Sequence, residues 1–418
     1  MAFSKSDISA PFRLLRSNKQ FANYIITRFA LIFGLFMQAT VISYELYKLT
    51  NSKMALGLIG LSEAIPAIGM SLFAGHIVEF REKRGMLLKC IGAYVLISLG
   101  NMFFTSEHAV GTLSIVTISI SLYALNFCNG LIRSFIGPTN FALLPLVVKK
   151  EEYPQAITLS SFAWQAATVL GPLTGGFLLA GKGITFTMVI VTICMGLAFF
   201  SLLRIPPQAI INTKKTGDIF DSLKQGLRFV FRTEVILAAI SLDLFAVLFG
   251  GAEALLPVYA RDILHVGESG FGWLRSAHGI GSILTLIILT VLPLKTKPGV
   301  KLLWSVAGYG AALLCFGVST SFMLSFALLM VAGMFDGVSV VLRQSILQYQ
   351  TPDDLKSRVA SVNTMFISSS NEIGAFESGL TAQYMGTVPA VIFGGCMTIL
   401  VVLVTWAKAP KLRRLQLE

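Results

Sequence analysis

Charge is scarce in this chain. Of its 418 residues only 13% are Asp, Glu, Lys or Arg, about half of what a water-soluble chain carries, and a soluble globule is thereby excluded. Histidine is scarcer still, with four residues, and the five cysteines, Cys90, Cys128, Cys194, Cys315 and Cys396, stand singly inside apolar segments. Neither a disulfide framework nor a zinc motif is legible in that spacing, and no cluster of His and Cys marks a metal site. The thiols read as small core residues. No carboxylate stands at acyltransferase-like spacing from His76, His108, His265 or His278, and no Gly-x-Ser-x-Gly nucleophile elbow occurs. Enzyme chemistry, a resident metal and a cofactor all lack candidate residues. The run from Gly176 to Lys182 fits the first seven positions of a phosphate-binding loop, but Gly183 stands where Ser or Thr is required, and no strand precedes it. An ion or solute gradient is the expected energy source.

What the chain has in abundance is apolar length. Hydrophobic residues make up 55% of it and the mean hydropathy is +0.75, the arithmetic of about 12 helical crossings of ~20 residues each. Apolar runs broken by Gly, Pro and charge predict spans at 21–46, 54–78, 86–105, 109–146, 157–180, 184–204, 234–259, 270–294, 301–320, 322–345, 358–385 and 387–407. The fold class is an all-α polytopic membrane protein with twelve transmembrane helices in two pseudo-symmetric six-helix bundles. Gly137-Pro138 is expected to break or kink the long fourth span, leaving 134–148 as its cytoplasmic extension.

The excess of basic residues, a net charge of +12, follows the membrane rather than nucleic acid. With both termini in the cytoplasm, 25 of the 33 Lys and Arg fall in inside segments and four, Lys48, Lys53, Lys182 and Arg261, in outside connections. That bias sets the orientation, and no aromatic-interleaved basic face offers itself to a nucleic acid. The first apolar run is long enough to span and no cleavage pattern follows it, so a removable signal peptide is not expected. The partners expected are a small-molecule substrate, protons as the coupling ion and the lipid bilayer, with the chain a monomer in a bacterial inner membrane.

The longest polar interruption, Arg204 to Thr233, divides six spans from six. The organisation expected is a cytoplasmic segment over 1–20, bundles over 21–204 and 234–407, a linker over 205–233 and a tail over 408–418. Within the linker Phe220, Leu223, Leu227, Val230 and Phe231 recur near helical spacing and predict an amphipathic helix along the cytoplasmic surface. An internal repeat supports two related halves: Gly171 and Gly176 in span five, Gly374 and Gly379 in span eleven, both Gly-x4-Gly, with acidic turns Glu151-Glu152 and Asp353-Asp354 upstream.

These features resemble the major facilitator superfamily over essentially the whole chain. The loop Gly75-His76-Ile77-Val78-Glu79-Phe80-Arg81-Glu82-Lys83-Arg84 is similar to the superfamily's signature loop, with Glu79 at the acidic position, Phe80 and Glu82 departing from the pattern and Lys83-Arg84 keeping the basic pair. Gly171-Pro172 with Gly175-Gly176 resembles the antiporter motif of the exporters. Ser241 to Phe245, Leu256 to Asp262, Gln350 to Asp353 and Asn371 to Gly379 resemble the enterobactin-exporter-like branch, which implies a proton-driven exporter of a siderophore, a drug or another small amphiphilic or anionic molecule by alternating access. A lysophospholipid or amphiphile flippase and a non-transporting sensor on the same scaffold are the alternatives.

An ionised side chain in hydrocarbon costs about 2.5–3.5 kcal/mol at a helix centre, so it must face protein or water. Counting the helical rise from each span's start places Glu63, Asp243 and Glu372 near the midplane, Glu253 and Glu377 nearer the outside, and Asp336 and Arg28 nearer the cytoplasm. Asp243, alone in an apolar run, is the first proton-coupling candidate, followed by Glu372, Glu377 and Glu63; permanent pairing is the plainer role for each. Glu372 and Glu377 lie about 140° apart around their helix, so one can face a cavity while the other supports a helix contact. Glu253 is expected to meet Arg275 or His278. Arg28, Arg275, His278, Trp164 and Phe245 are candidates to hold cargo, through bidentate charge or aromatic contact. Arg133 and Arg343 are expected to anchor a cytoplasmic gate, Glu79, Arg81, Lys83 and Arg84 to latch it, and Gly171, Pro172, Gly175 and Gly176 to let helices approach and bend.

Overall fold

The computed structural model describes residues 14–208, 219–291, 296–352 and 355–416. Most of the expected N-terminal segment, the middle of the linker and the Asp353-Asp354 turn lie outside these residues. Long helices dominate: α1 Lys19–Thr50, α2 Lys53–Glu79, α3 Lys83–Phe104, α4 Ile115–Val147, α5 Tyr153–Leu203, α6 Ile219–Arg232, α7 Glu234–Phe249, α8 Gly267–Val291, α9 Pro298–Val318, α10 Phe322–Gln350, α11 Lys356–Met385 and α12 Thr387–Lys408. Ten stretches among the described residues are long and apolar enough to cross a membrane. One of these, within α5, turns at Gly183, where φ is +78°. With α11 the helices are consistent with twelve crossings. In hydrocarbon only helices of this kind satisfy every backbone donor and acceptor internally.

The helix ends explain why the chain turns where it does. Ser114 caps α4 by accepting from Thr117 N–H at 3.1 Å, and Glu82 caps α3 by accepting from the N–H groups of Arg84 and Gly85. Lys83 donates from Nζ to the carbonyls of Val78, Glu79 and Arg81 at 2.6, 2.7 and 2.9 Å, and so closes the C-terminus of α2, where a cation is favoured.

Two expectations about helix continuity need correction. The fourth span is not broken at Gly137-Pro138: α4 runs unbroken to Val147. A membrane helix tolerates the missing proline N–H where neighbouring groups serve the freed backbone. Conversely, the seventh span is not continuous over 234–259. Helix α7 stops at Gly250, a 3₁₀ turn follows at Ala252–Leu255, and the path to Ile263 ends in a π-helical turn over Tyr259–Ile263. Backbone irregularity in a membrane segment is tolerated where protein or a water-filled cavity surrounds it, and here it sits among the charged residues described below.

The chain divides into two compact units. One comprises Met1–Glu45 with Ile65–Thr216, the other Leu46–Ala64 with Gly217–Glu418. In the first, α5 lies so close to α1 that a Cβ on Gly171 would come 2.8 Å from the Phe33 carbonyl oxygen. In the second, α7, α9, α10 and α12 enclose an apolar core built from Leu242, Ala246, Leu302, Val306, Leu342, Ile346 and Val402. A second cluster joins Val230 of α6 to Ile236 and Ile240 of α7, Leu347 of α10 and Val359 and Val362 of α11.

A histidine between two carboxylates

The second unit gathers its charged side chains around the break in α7. His278 projects from α8 between two acids: its Nδ1 lies 3.5 Å from Oε1 of Glu253 and its Nε2 3.8 Å from Oδ2 of Asp336. Glu253 stands in the 3₁₀ turn after the break, and its side chain is half open to solvent at 52%, against 28% for Asp336 and 25% for His278. The ring of Tyr309, from α9, meets the imidazole edge-on at a centroid distance of 6.4 Å, and its hydroxyl donates to the Gly250 carbonyl at 3.1 Å. The carbonyl of Gly250, the cap residue after α7, thus accepts both from the Ala252 N–H at 2.8 Å and from the residue that packs against the histidine.

Two features of the local sequence hold His278 in place. Gly333 of α10 sits against the carbonyl of His278, where any Cβ would overlap that oxygen. One turn further on, Ser282 donates to the Gly333 carbonyl at 3.0 Å, and Thr285 donates to the Met334 carbonyl at 2.8 Å. Arg275, three residues before His278 on α8, is half-buried and lies within the electrostatic reach of Glu253, Glu372 and Glu63. This unit therefore assembles five of the ionisable residues that sequence reading singled out, Glu63, Glu253, Arg275, His278 and Glu372. Asp336 joins them through His278, a partner on a neighbouring helix that a one-dimensional count along α10 does not reveal.

Asp243 requires correction. It does not stand alone in an apolar run: its carboxylate forms an ion pair with Arg343 of α10, and the two residues are only 7% and 3% exposed. Arg343 is an interior residue of the helix packing, on the same helix as Leu342 and Ile346, which share an apolar cluster with Leu242 of α7. Glu377 accepts a hydrogen bond from Thr381 one turn on, at 2.8 Å.

The remaining candidates distribute as follows. Arg28 Nε donates to the Ser160 carbonyl at 3.1 Å and ties α1 to α5. Trp164 of α5 packs edge-on against Phe36 of α1, at 6.4 Å between ring centroids, and keeps an exposed face, as does Phe245 on α7. Arg133 is exposed on α4. In the signature-like loop Lys83 closes α2, and Arg84 reaches the carbonyls of Leu202 and Leu203 at the end of α5, at 3.4 and 3.0 Å; Glu79 and Arg81 are exposed. Pro172 and Gly176 are buried with Gly171 and Gly175, and Gly175 faces Met37 and Val41 of α1.

A further constellation escaped sequence reading. Tyr47, near the end of α1, donates its hydroxyl to Asp262 in the π-helical turn. Arg261 beside it bonds Asn51 Oδ1 at 2.9 Å and lies over the Tyr47 ring at 5.7 Å. The tyrosine joins residues more than 200 positions away, and no local spacing announces that contact. Among the described residues no group of His, Cys, Asp and Glu is arranged to hold a metal ion.

Residues 9–417 match the family described as "Transmembrane secretion effector" (MFS_3). The chain is 22% identical over 388 residues to the enterobactin exporter of Escherichia coli O1:K1, covering 91% of this chain and 90% of that one. It is 22% identical over 407 residues to the enterobactin exporter of Citrobacter koseri, covering 96% and 94%. Among solved structures it resembles a peptide transporter of the POT type in complex with sulfate, with a TM-score of 0.71 at 12% identity over 96% of both chains. A D-xylose–proton symporter is similar, with a TM-score of 0.69 at 13% identity over 95% of this chain and 99% of the other. At such identities the structures speak for the fold.

Proposed function

Because the chain belongs to the transmembrane secretion effectors of the major facilitator superfamily and is a membrane transporter rather than an enzyme, we propose that it exports a small amphiphilic or anionic molecule, such as a siderophore or drug, in exchange for protons. The membrane assigned is the bacterial inner membrane, with both termini in the cytoplasm, on the strength of the 25-to-4 bias of basic residues. The movement assigned is alternating access between bundles over 21–204 and 234–407.

The observation that carries the proton assignment is His278 held between Glu253 and Asp336. A neutral ring leaves two carboxylates with like charge on either side of it, whereas a proton on the ring gives both a cationic partner. Proton arrival then draws α8, α10 and the segment after the break in α7 together, and proton loss loosens them. Arg275, one turn away on the same face of α8, supplies a fixed positive charge that an anionic cargo can share when the ring is neutral. Asp243 and Arg343, buried and paired, act as a lock within the second unit rather than as the proton carrier.

The test uses purified protein in proteoliposomes with an imposed pH gradient, enterobactin as the first probe and a drug and lysolipid panel beside it. His278→Gln and Asp336→Asn are expected to lower gradient-driven transport at least about tenfold, while counterflow, which needs no net proton movement, continues. Undiminished gradient-driven transport in both variants would remove the assignment. Transport of the lysolipid alone would turn the reading to a flippase.

A further inference from the structure

Helix α6 carries a surface that the proposed proton exchange does not use. Lys224, Arg228 and Arg232 follow one another at intervals of four, about 40° apart around the helix, and all three are exposed. On the far side Gly226 lies 3.0 Å, measured from an ideal Cβ, from the Arg358 carbonyl oxygen, and Val230 is buried in the cluster with Ile236, Ile240, Leu347, Val359 and Val362. The helix is therefore fixed by one face and presents a stripe of cations on the other. Arg358, at the start of α11, adds a fourth cation at its edge, donating to Gln225 Oε1 at 2.6 Å. Among the described residues none of the three stripe cations is paired with a carboxylate.

Two further observations say what faces this stripe. Phe231, about 20° from Lys224 in helical projection, is 59% exposed, a large apolar ring placed beside the cations and away from the core. Arg232 also lies two residues before Glu234, where the membrane-crossing stretch Glu234–Ile263 begins, so the helix is tethered at the bilayer surface. Basic residues with an aromatic shoulder at that depth suit the headgroup boundary, where the ring enters the acyl margin and the cations meet phosphate.

We propose that α6 is a binding strip for anionic phospholipid headgroups, with Lys224, Arg228 and Arg232 as the phosphate contacts and Phe231 as the apolar anchor. The attraction is electrostatic and weakens with salt. Binding there holds α6 against α7 and α11, and so couples the lipid composition of the leaflet to the second unit.

The experiment titrates the full-length protein in detergent micelles with dioleoyl-phosphatidylglycerol and, separately, dioleoyl-phosphatidylcholine, and reads bound lipid by native mass spectrometry and thermal stability. Wild type is expected to prefer phosphatidylglycerol, and the Lys224→Gln, Arg228→Gln, Arg232→Gln triple variant to lose that preference by roughly 10- to 100-fold. Conversion to Lys224→Arg, Arg228→Lys, Arg232→Lys, which keeps the charge, is expected to keep it, and Phe231→Ser to weaken both lipids alike. Equal binding of the two lipids by wild type, or an unchanged preference in the triple variant, overturns the proposal. Competition by sn-glycerol 1-phosphate as effective as the lipid assigns the strip to soluble anions and overturns it too. If the triple variant does not fold, the three single glutamine variants decide by the same criterion, and wild-type preference in all three is the overturning result.

Discussion

Asp243 shows how little one ionisable residue discloses about its own role. Its neighbours in sequence are all apolar, which reads as a lone titratable acid, yet its partner Arg343 stands 100 positions away on α10. Removing one member of a buried pair leaves the other charged and dry, at about 3–5 kcal/mol, whereas replacing both by apolar residues of similar volume is often neutral. Asp243→Asn is therefore expected to lower thermal stability in detergent strongly, and Asp243→Leu combined with Arg343→Met to recover most of it. The double variant is also expected to keep transport driven by a pH gradient. A stable double variant that has lost that transport would return the proton to Asp243. The pairing was illegible because both residues take their meaning from helix packing. His278 and Glu253 are easier, since the Gly-Gly step before Glu253 and the short connection between their helices confine where those helices can go.

Helices announce themselves through apolar length, which is why most of the spans over 21–407 could be drawn with ends displaced by only a few residues. What apolar length does not encode is where two backbones touch. Gly333 is one of 37 glycines, and local sequence does not tell which of them lies against another backbone: a Cβ at Gly333 meets the His278 carbonyl, while one at Gly137, beside Pro138, meets nothing within 4 Å. Gly333→Ala is expected to push α8 and α10 apart, at about 1–3 kcal/mol for overpacking, and to displace His278 from Glu253 and Asp336. Gly137→Ala, in the interior of α4, is expected to be neutral or to add up to about 1 kcal/mol. Thermal unfolding of the two variants, read beside gradient-driven transport, separates them: stability unchanged in both would mean that α8 and α10 do not approach as closely as the contact requires. The break in α7 belongs with this lesson. A hydropathy window passes smoothly across Gly250-Gly251, while the Tyr309 hydroxyl and the carbonyl it satisfies exist only once α9 is in place.

A transporter that alternates must make and break contacts across long stretches of its sequence, and the second unit contains one suited to that. Residues 46–64 come from the end of α1 and the beginning of α2, whose other residues group with the first unit. They are held by Tyr47 to Asp262, by Arg261 to Asn51 and by the guanidinium over the tyrosine ring. If export proceeds by alternating access, this attachment has to release once per cycle, and its strength sets how often it does. Two net hydrogen bonds contribute about 1 kcal/mol each, so Tyr47→Phe together with Arg261→Ala is expected to raise the released population roughly thirtyfold. Ala55 is 5% exposed in the held arrangement, and a cysteine there, in a background with the five native cysteines replaced by serine, reports release through its rate of maleimide labelling. The labelling rate is expected to rise about thirtyfold in the double variant, and to fall back when a cargo or pH that favours the held arrangement is supplied. An unchanged rate would mean that these contacts persist through the cycle, and that the hinge of export lies elsewhere, with the break in α7 and its histidine the next place to look.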